Sequence, residues 1–408
     1  MALTVALVCG ACVTPAPERP QAAPTATPTT SAPAAAPSVV PLARPSAAPV
    51  VAAETDCSEP PRTTDQFRAT TVPTTWKLVG EGDSKGALAD GVIAADGSLW
   101  ALNHLSPSYE QSKVKRLPVR WSGTEWKTVP LPQGMTAVEA LAVGTDGVLW
   151  AVGPASGQRT VGLWKNETWQ RVDLAVQRPD GAAGGWVSYG TTAVRRDGDT
   201  WTRVKLPTEQ ADEAPENVRY SMTETGGEVW ALPFEGSTAV RIRDGVPGQV
   251  RFDVRIDTTG AIHDSQEGAF YPQAVAVTGK DEFWVLGFGA FGTHDKADNE
   301  DTDAGRPIAL RHRKGQWTCT FGPFRAEGFE GGFIDAVADG SGGLWAVTDE
   351  SMMWRLRGGA WTRQPLPVGD GQDVSVNDLV RGPDGVYALG SLWKDSLDRP
   401  ALWRLDES

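Results

Sequence analysis

Between Ala87 and Tyr387, short runs of alternating apolar and polar residues recur, each broken by a tight Gly-containing turn and resumed in a second apolar run around an aromatic residue. Asp96-Gly97-Ser98-Leu99-Trp100-Ala101-Leu102 and Asp146-Gly147-Val148-Leu149-Trp150-Ala151-Val152 are the clearest copies, and variants centre on Trp186, Trp230, Trp284, Trp345 and Tyr387. Period-two alternation predicts strands with one face buried, and Asp-Gly between two such runs predicts a hairpin. A second aromatic-bearing pair follows: Arg120-Trp121 with Trp126, Leu163-Trp164 with Trp169, Ala193-Val194 with Trp201, and Trp354-Arg355 with Trp361. Each unit is therefore four short strands, A to D, and successive B-strand aromatics stand 36 to 61 residues apart.

A repeat of that length made only of strand signals predicts an all-β, seven-bladed β-propeller with four-stranded blades over residues 71–408. The seventh unit lacks a D strand, whereas Thr75-Trp76-Lys77-Leu78-Val79 reads as a D strand with no A to C before it. An N-terminal strand that completes the last blade closes the ring and removes an open edge. In repeat register most of the 17 tryptophans are packing residues between sheets, and aromatic content by itself is no sign of a sugar site.

The N-terminus carries another message. Met1 to Val8 is apolar, and Val8-Cys9-Gly10-Ala11-Cys12 resembles a bacterial lipoprotein signal over residues 1–12, with Cys12 the lipidated residue; a plain secretory signal is the alternative. Residues 13–70 form a lead-in, of which 13–53 is rich in Pro, Ala, Thr and Ser and cannot bury a core, so it is expected to act as an extended tether. With the leader set aside, Cys57 and Cys319 remain, either as a disulfide in an oxidising compartment or as two buried thiols. The expected location is the cell envelope outside the cytoplasm, lipid-anchored or else secreted.

A net charge of −13 argues against nucleic acid as a partner, and no stretch after the leader is long and apolar enough to cross a membrane. In this topology the A-to-B and C-to-D turns share one face, and they are short. The B-to-C and D-to-A connections share the other, with long insertions at 103–119, 206–218, 257–272, 288–306, 321–332 and 391–400. Long loops gathered on one end of a rigid scaffold are where binding residues sit, so that face is expected to be functional. The candidate binding residues there are His104, His263 and His294, the basic hairpin Tyr109, Lys113, Lys115 and Arg116, and Tyr271. The histidines can serve a metal or acid/base chemistry or be scattered surface groups, and none has the short spacing that places two ligands on one metal. The basic hairpin either meets an anionic partner or is merely solvated. The carboxylates of Asp295, Asp298, Glu300, Asp301 and Asp303 either hold a hard cation or form a solvated flap, and they lack an EF-hand's glycine and terminal glutamate. No metal and no cofactor is expected.

Gly287-Phe288-Gly289-Ala290-Phe291-Gly292 matches G-x-G-x-x-G, but an acidic loop follows where a dinucleotide fold needs a helix. Gly198-Asp199-Thr200-Trp201 resembles the end of an Asp-box repeat, with Arg196 at the place of its aspartate. No H-E-x-x-H is present. Segments such as Leu141-Ala142-Val143-Gly144-Thr145-Asp146-Gly147-Val148-Leu149-Trp150-Ala151-Val152 resemble the repeats of bacterial two-component-regulator-type propellers and, more distantly, of the streptogramin lyase family. The first resemblance implies a ligand-sensing ectodomain joined to a membrane span and a kinase, and no segment of this sequence reads as either. The second implies a metal and a His/Glu set beside the blade motif, where this chain has Ala101, Ala151 and Ala346. The resulting expectation is a monomeric, noncatalytic propeller that binds an extracytoplasmic protein, peptide or glycan. The alternative is a lyase or hydrolase with acid/base residues on the same face.

Overall fold

The computed structural model describes residues 39–41, 51–52, 57–82, 85–105, 115–155, 158–174, 181–197, 200–206, 220–233, 238–259, 268–295, 300–326, 329, 331–394 and 397–406. Among the described residues there are strands and turns but no helix, hence no helix able to cross a membrane. Seven antiparallel sheets follow one another along the chain, each with A, B, C and D in spatial order, and form a seven-bladed β-propeller. The A strands of blades 1 to 7 are Ala87–Ile93, Ala140–Val143, Gly181–Ala183, Tyr220–Thr225, Ala269–Gly279, Phe333–Ala338 and Asp373–Gly382.

The seven aromatics at Trp100, Trp150, Trp186, Trp230, Trp284, Trp345 and Tyr387 all lie on B strands and are buried. They sit in seven apolar clusters, each shared by two consecutive blades. Trp150 of blade 2, for example, packs with Val187 and Trp201 of blade 3. Tyr387 and Leu389 of blade 7 pack with Leu99 and Ala101 of blade 1, which closes the circle. Residues 76–81 pair antiparallel with the C strand of blade 7 in the register Trp76↔Leu405, so the N-terminal strand completes the last blade. Trp76 is buried edge-on to Trp345 at 5.2 Å. Trp76→Leu is expected to cost about 2 kcal/mol through lost contact area and a residual cavity, and a urea unfolding midpoint measures it.

A second repeated device lies on the short-turn side. The C-strand residue opposite the B-strand aromatic is an arginine in six blades: Arg120, Arg195, Arg241, Arg311, Arg355 and Arg404. In five of them the guanidinium lies over the tryptophan, 4.9 to 5.7 Å from a ring centroid. Acidic residues at the A-to-B turn complete several sets. Asp96 accepts from Arg120 at 2.9 Å, Glu228 from Arg241 at 2.7 Å and Glu282 from Arg311 at 2.9 Å. Burial opposes ionisation of Asp96, but the Ser98 hydroxyl and amide and Arg120 outweigh it and hold its carboxyl below the ordinary range. In blades 1, 4 and 5 these charges are thus committed to internal structure.

The lead-in runs around the rim. Val39–Pro41 adds in parallel to the D strand of blade 3, Val51–Ala52 to that of blade 4, and Thr70–Thr71 to that of blade 6. Cys57–Ser58 pairs in parallel with Val254–Arg255. Strand pairing therefore begins well before residue 71, where the sequence placed the start of the propeller. An outermost strand needs only one row of hydrogen bonds, so a proline such as Pro41 is tolerated there. Between these contacts, Cys57 and Cys319 are joined as a disulfide with their Cα atoms 5.8 Å apart. Two of the expected long loops also turn out to be sheet. In blade 5 the B and C strands continue as Glu282–Asp295 and Glu300–Arg313, and in blade 7 as Gly385–Lys394 and Leu397–Leu405. Glycine permits the first extension, since a Cβ on Gly287 would meet the Tyr271 carbonyl oxygen at 1.9 Å. The G-x-G-x-x-G run is therefore a strand under close backbone approach.

Candidate functional site

The A strands enclose a central channel of 830 Å³. Its wall is irregular in four consecutive blades, because β-bulges interrupt the A strands of blades 5, 6, 7 and 1 at Gln273, Ile334, Asn377 and Asp90-Gly91. Asp90 adopts φ 50° there. A bulge inserts an extra residue and re-aims its neighbours, a device concentrated near functional sites.

The bulges bring an acidic arc to the channel. Asp335, Asp378 and Asp90 each stand two residues before the A-strand residue paired with the B-strand aromatic, in blades 6, 7 and 1. Asp335 Oδ1 accepts from the Ala336 amide at 2.8 Å, and its Oδ2 accepts from the Leu379 amide at 2.6 Å. Asp378 Oδ2 accepts from the Gly91 amide. The Asn377 amide group donates to the Leu88 carbonyl at 3.0 Å, again across the seam from blade 7 to blade 1. Burial and the neighbouring Asp335 charge push the Asp378 carboxyl well above the ordinary range, with Asp90 adding to the effect. Burial also raises Asp335, against hydrogen bonds from Asp378 and two amides. Two carboxyls in one enclosed place disfavour joint ionisation, and the larger upward shift falls on Asp378.

Toward the long-loop end, His104 and Arg116 form one rung of blade 1, opposite each other on the B and C strands. His104 Nε2 lies 3.6 Å from Asp90 Oδ2, beyond hydrogen-bond reach. Arg116 donates to the Glu139 carbonyl at 3.3 Å and so spans blades 1 and 2. Both line the channel. Across it, burial raises the carboxyl of Glu224 on blade 4.

The other sequence candidates are more scattered. Tyr271 lies on the A strand of blade 5, stacked on Phe288 at 5.0 Å, and Phe329 lies against Phe288 at 5.8 Å. Lys115 and His294 have their backbones in strands, the first in blade 1 and the second in the extended hairpin of blade 5. Cys12, Tyr109, Lys113 and His263 lie outside the described residues. Among the described residues no three His, Cys, Asp or Glu side chains converge as metal ligands do. Sequence reading missed Asp90, Asp335 and Asp378. Aligning the A strands on their aromatic partners would have shown an aspartate at one position in three consecutive blades.

The class these features define is a seven-bladed β-propeller with an acidic central channel. No protein-family model matches the chain. No curated protein matches it either. Among solved structures it is similar to the extracellular domain of the one-component system protein BT4673 from B. thetaiotaomicron, with 10% identity and a TM-score of 0.50. That match covers 80% of this chain but only 40% of the other. It is also similar to YCF48 bound to D1 peptide, with 13% identity and a TM-score of 0.51 over 83% of this chain and 99% of the other. An α-L-arabinofuranosidase from Fusarium graminearum matches at 12% identity and a TM-score of 0.40 over 85% and 99%. These likenesses establish the fold and nothing about activity, since one propeller scaffold hosts many functions.

Proposed function

We propose that this propeller is a noncatalytic binding module of the extracytoplasmic envelope, held by lipid on Cys12, that takes a protein, peptide or glycan on its long-loop face over the mouth of the channel. The observation that carries the reading is the unequal use of charge on the two faces. On the short-turn face Asp96, Glu228 and Glu282 are paired with arginines that cover buried tryptophans. On the channel side, acidic groups, His104 and Arg116 line an open cavity instead. The protein bound to D1 peptide and the extracellular domain with the same fold are precedents for such use of a propeller.

The alternative, a lyase or hydrolase, has the neighbouring carboxyls of Asp335 and Asp378, both raised by burial, in its favour. Three backbone amides, of Gly91, Ala336 and Leu379, already occupy oxygens of that pair. Such groups are better placed to join blades than to meet a substrate. A photo-crosslinking residue introduced at Arg116 or Tyr271 is expected to capture a partner in cells, while the same probe at Glu125 or Asn166 captures none. Cys12→Ser is expected to release the protein from the membrane fraction. Adducts formed only from the Glu125 and Asn166 positions would overturn the choice of face, and turnover in a broad substrate screen would overturn the noncatalytic reading.

A further inference from the structure

Trp393 departs from the pattern of the other tryptophans. It is 46% exposed, the only tryptophan among the described residues to show so much surface. It lies near the end of the blade 7 B strand, on the long-loop face, just past the run Val386–Leu392 that is buried on both faces. Directly across from it stand Asp373 on the A strand and Asp398 on the C strand, both exposed. Residues opposite one another on neighbouring strands project to the same side with Cβ atoms about 5 Å apart, so the two carboxylates flank the indole. Lys394 donates to the Asp370 carbonyl at 3.3 Å, which ties this hairpin to the connection entering blade 7, and in that connection Val368 is also exposed.

The rest of the ring shows what such a set of groups holds. In blades 1, 4 and 5 a tryptophan, a carboxylate and an arginine come together, with the guanidinium over the ring and bonded to the carboxylate. The Trp393 rung has the aromatic and two carboxylates. Among the described residues neither aspartate is in an ion pair and no cation lies over Trp393. Resting on the reading that this face binds a partner, we infer that Asp373, Trp393 and Asp398 form the docking site for an arginine or lysine side chain from a basic segment of a partner protein. Cation–π attraction and two flanking carboxylates select that side chain, and the net charge of −13 steers basic segments toward the molecule.

The test uses full-length protein and fluorescein-labelled nonapeptides, one with arginines spaced by serine and glycine and one with glutamines in their place, read by anisotropy at near-physiological salt. The basic peptide is expected to bind at least about tenfold tighter than the neutral one, and Trp393→Ala to weaken it by about tenfold. Asp373→Asn with Asp398→Asn has a similar effect, and Trp393→Phe retains most of the binding. Glu125→Gln with Glu167→Gln removes the same charge from the short-turn face and leaves binding unchanged. Equal weakening by that control pair would show that overall charge alone attracts the peptide, and the inference would fall. It also falls if a neutral oligosaccharide binds in a Trp393-dependent manner while the basic peptide does not. Loss of peptide selectivity with crosslinks from Arg116 and Tyr271 intact refutes this rung but not the binding face; loss of both refutes both.

Discussion

Arg306→Ala is expected to lower the free energy of unfolding by about 3–5 kcal/mol, because it leaves the Glu59 carboxylate buried without its counter-charge. Both side chains are almost fully enclosed, 1% and 2% exposed, with Arg306 Nη1 3.1 Å from Glu59 Oε1. The guanidinium also donates to the carbonyls of Gly322, Pro60 and Thr64, so its removal strands several acceptors at once. Arg306→Met combined with Glu59→Met removes both charges and should recover part of the loss, though not the part owed to the carbonyls. Urea unfolding midpoints of the three variants decide it. A value for Arg306→Ala within about 1 kcal/mol of wild type would mean that the pair is open to water and contributes no more than a surface ion pair.

That clamp has a mechanical consequence under the proposed anchoring. It lies, with the Cys57–Cys319 disulfide, between the N-terminal segment and the closing strand that starts at Trp76. Nearby, Phe67 is buried against Phe333, Trp354 and Trp361 at 5.0 to 5.7 Å. A pull on a tethered N-terminus is therefore borne by a covalent bond and a buried ion pair on blade 5 before it reaches the strand that closes the ring. Few hydrogen bonds hold Val39–Pro41 and Val51–Ala52, which makes them the first contacts to yield.

The blade number and closing strand were legible because each rests on a local signal: a tight turn followed by an aromatic in an apolar run, or a D strand without companions. The rim seats of Val39–Pro41, Val51–Ala52 and Thr70–Thr71 were not, since prolines, alanines and threonines show no alternation and their seats are set by distant edges. The extended hairpin of blade 5 reads as a loop because an acidic run follows Gly292. In the structure Gly287 lets the Tyr271 carbonyl approach, and Gly289 makes room for Ile256 and Ile308. The channel acids escaped notice for a different reason. In an alternating strand, Asp335 or Asp378 reads as an ordinary solvent-facing residue, and only the bulges beside them turn both toward one place. Of the proposed binding residues that lie among the described ones, His104 and Arg116 come together at the channel, through one rung of blade 1.

The acidic pair carries a prediction of its own, that the ring is most stable in mild acid and loses stability as the pH rises. A carboxyl whose pKa is higher in the folded than in the unfolded state binds its proton preferentially when folded. Its contribution is complete below the ordinary value of 3.8 and is lost as the pH climbs through the raised one. For one proton the slope in that window is at most about 1.4 kcal/mol per pH unit. Carboxyls such as Asp96 and Asp339, held below their ordinary values, act oppositely and withdraw stability only as the pH falls below 3.8. Between these limits lies the optimum. At higher pH, Asp335, Asp378 and Asp90 would all be charged along one arc of the channel. Their repulsion falls on the seam joining blades 6, 7 and 1, where the closing strand also sits. Asp378→Asn keeps an acceptor for the Gly91 amide and a donor for Asp335 without a proton to lose. It is expected to be at least as stable as wild type at pH 8 and to lose less stability than wild type as the pH rises. Parallel profiles for the two proteins would mean that Asp378 is already ionised in the folded ring, and the proton-sharing seam would have to be abandoned.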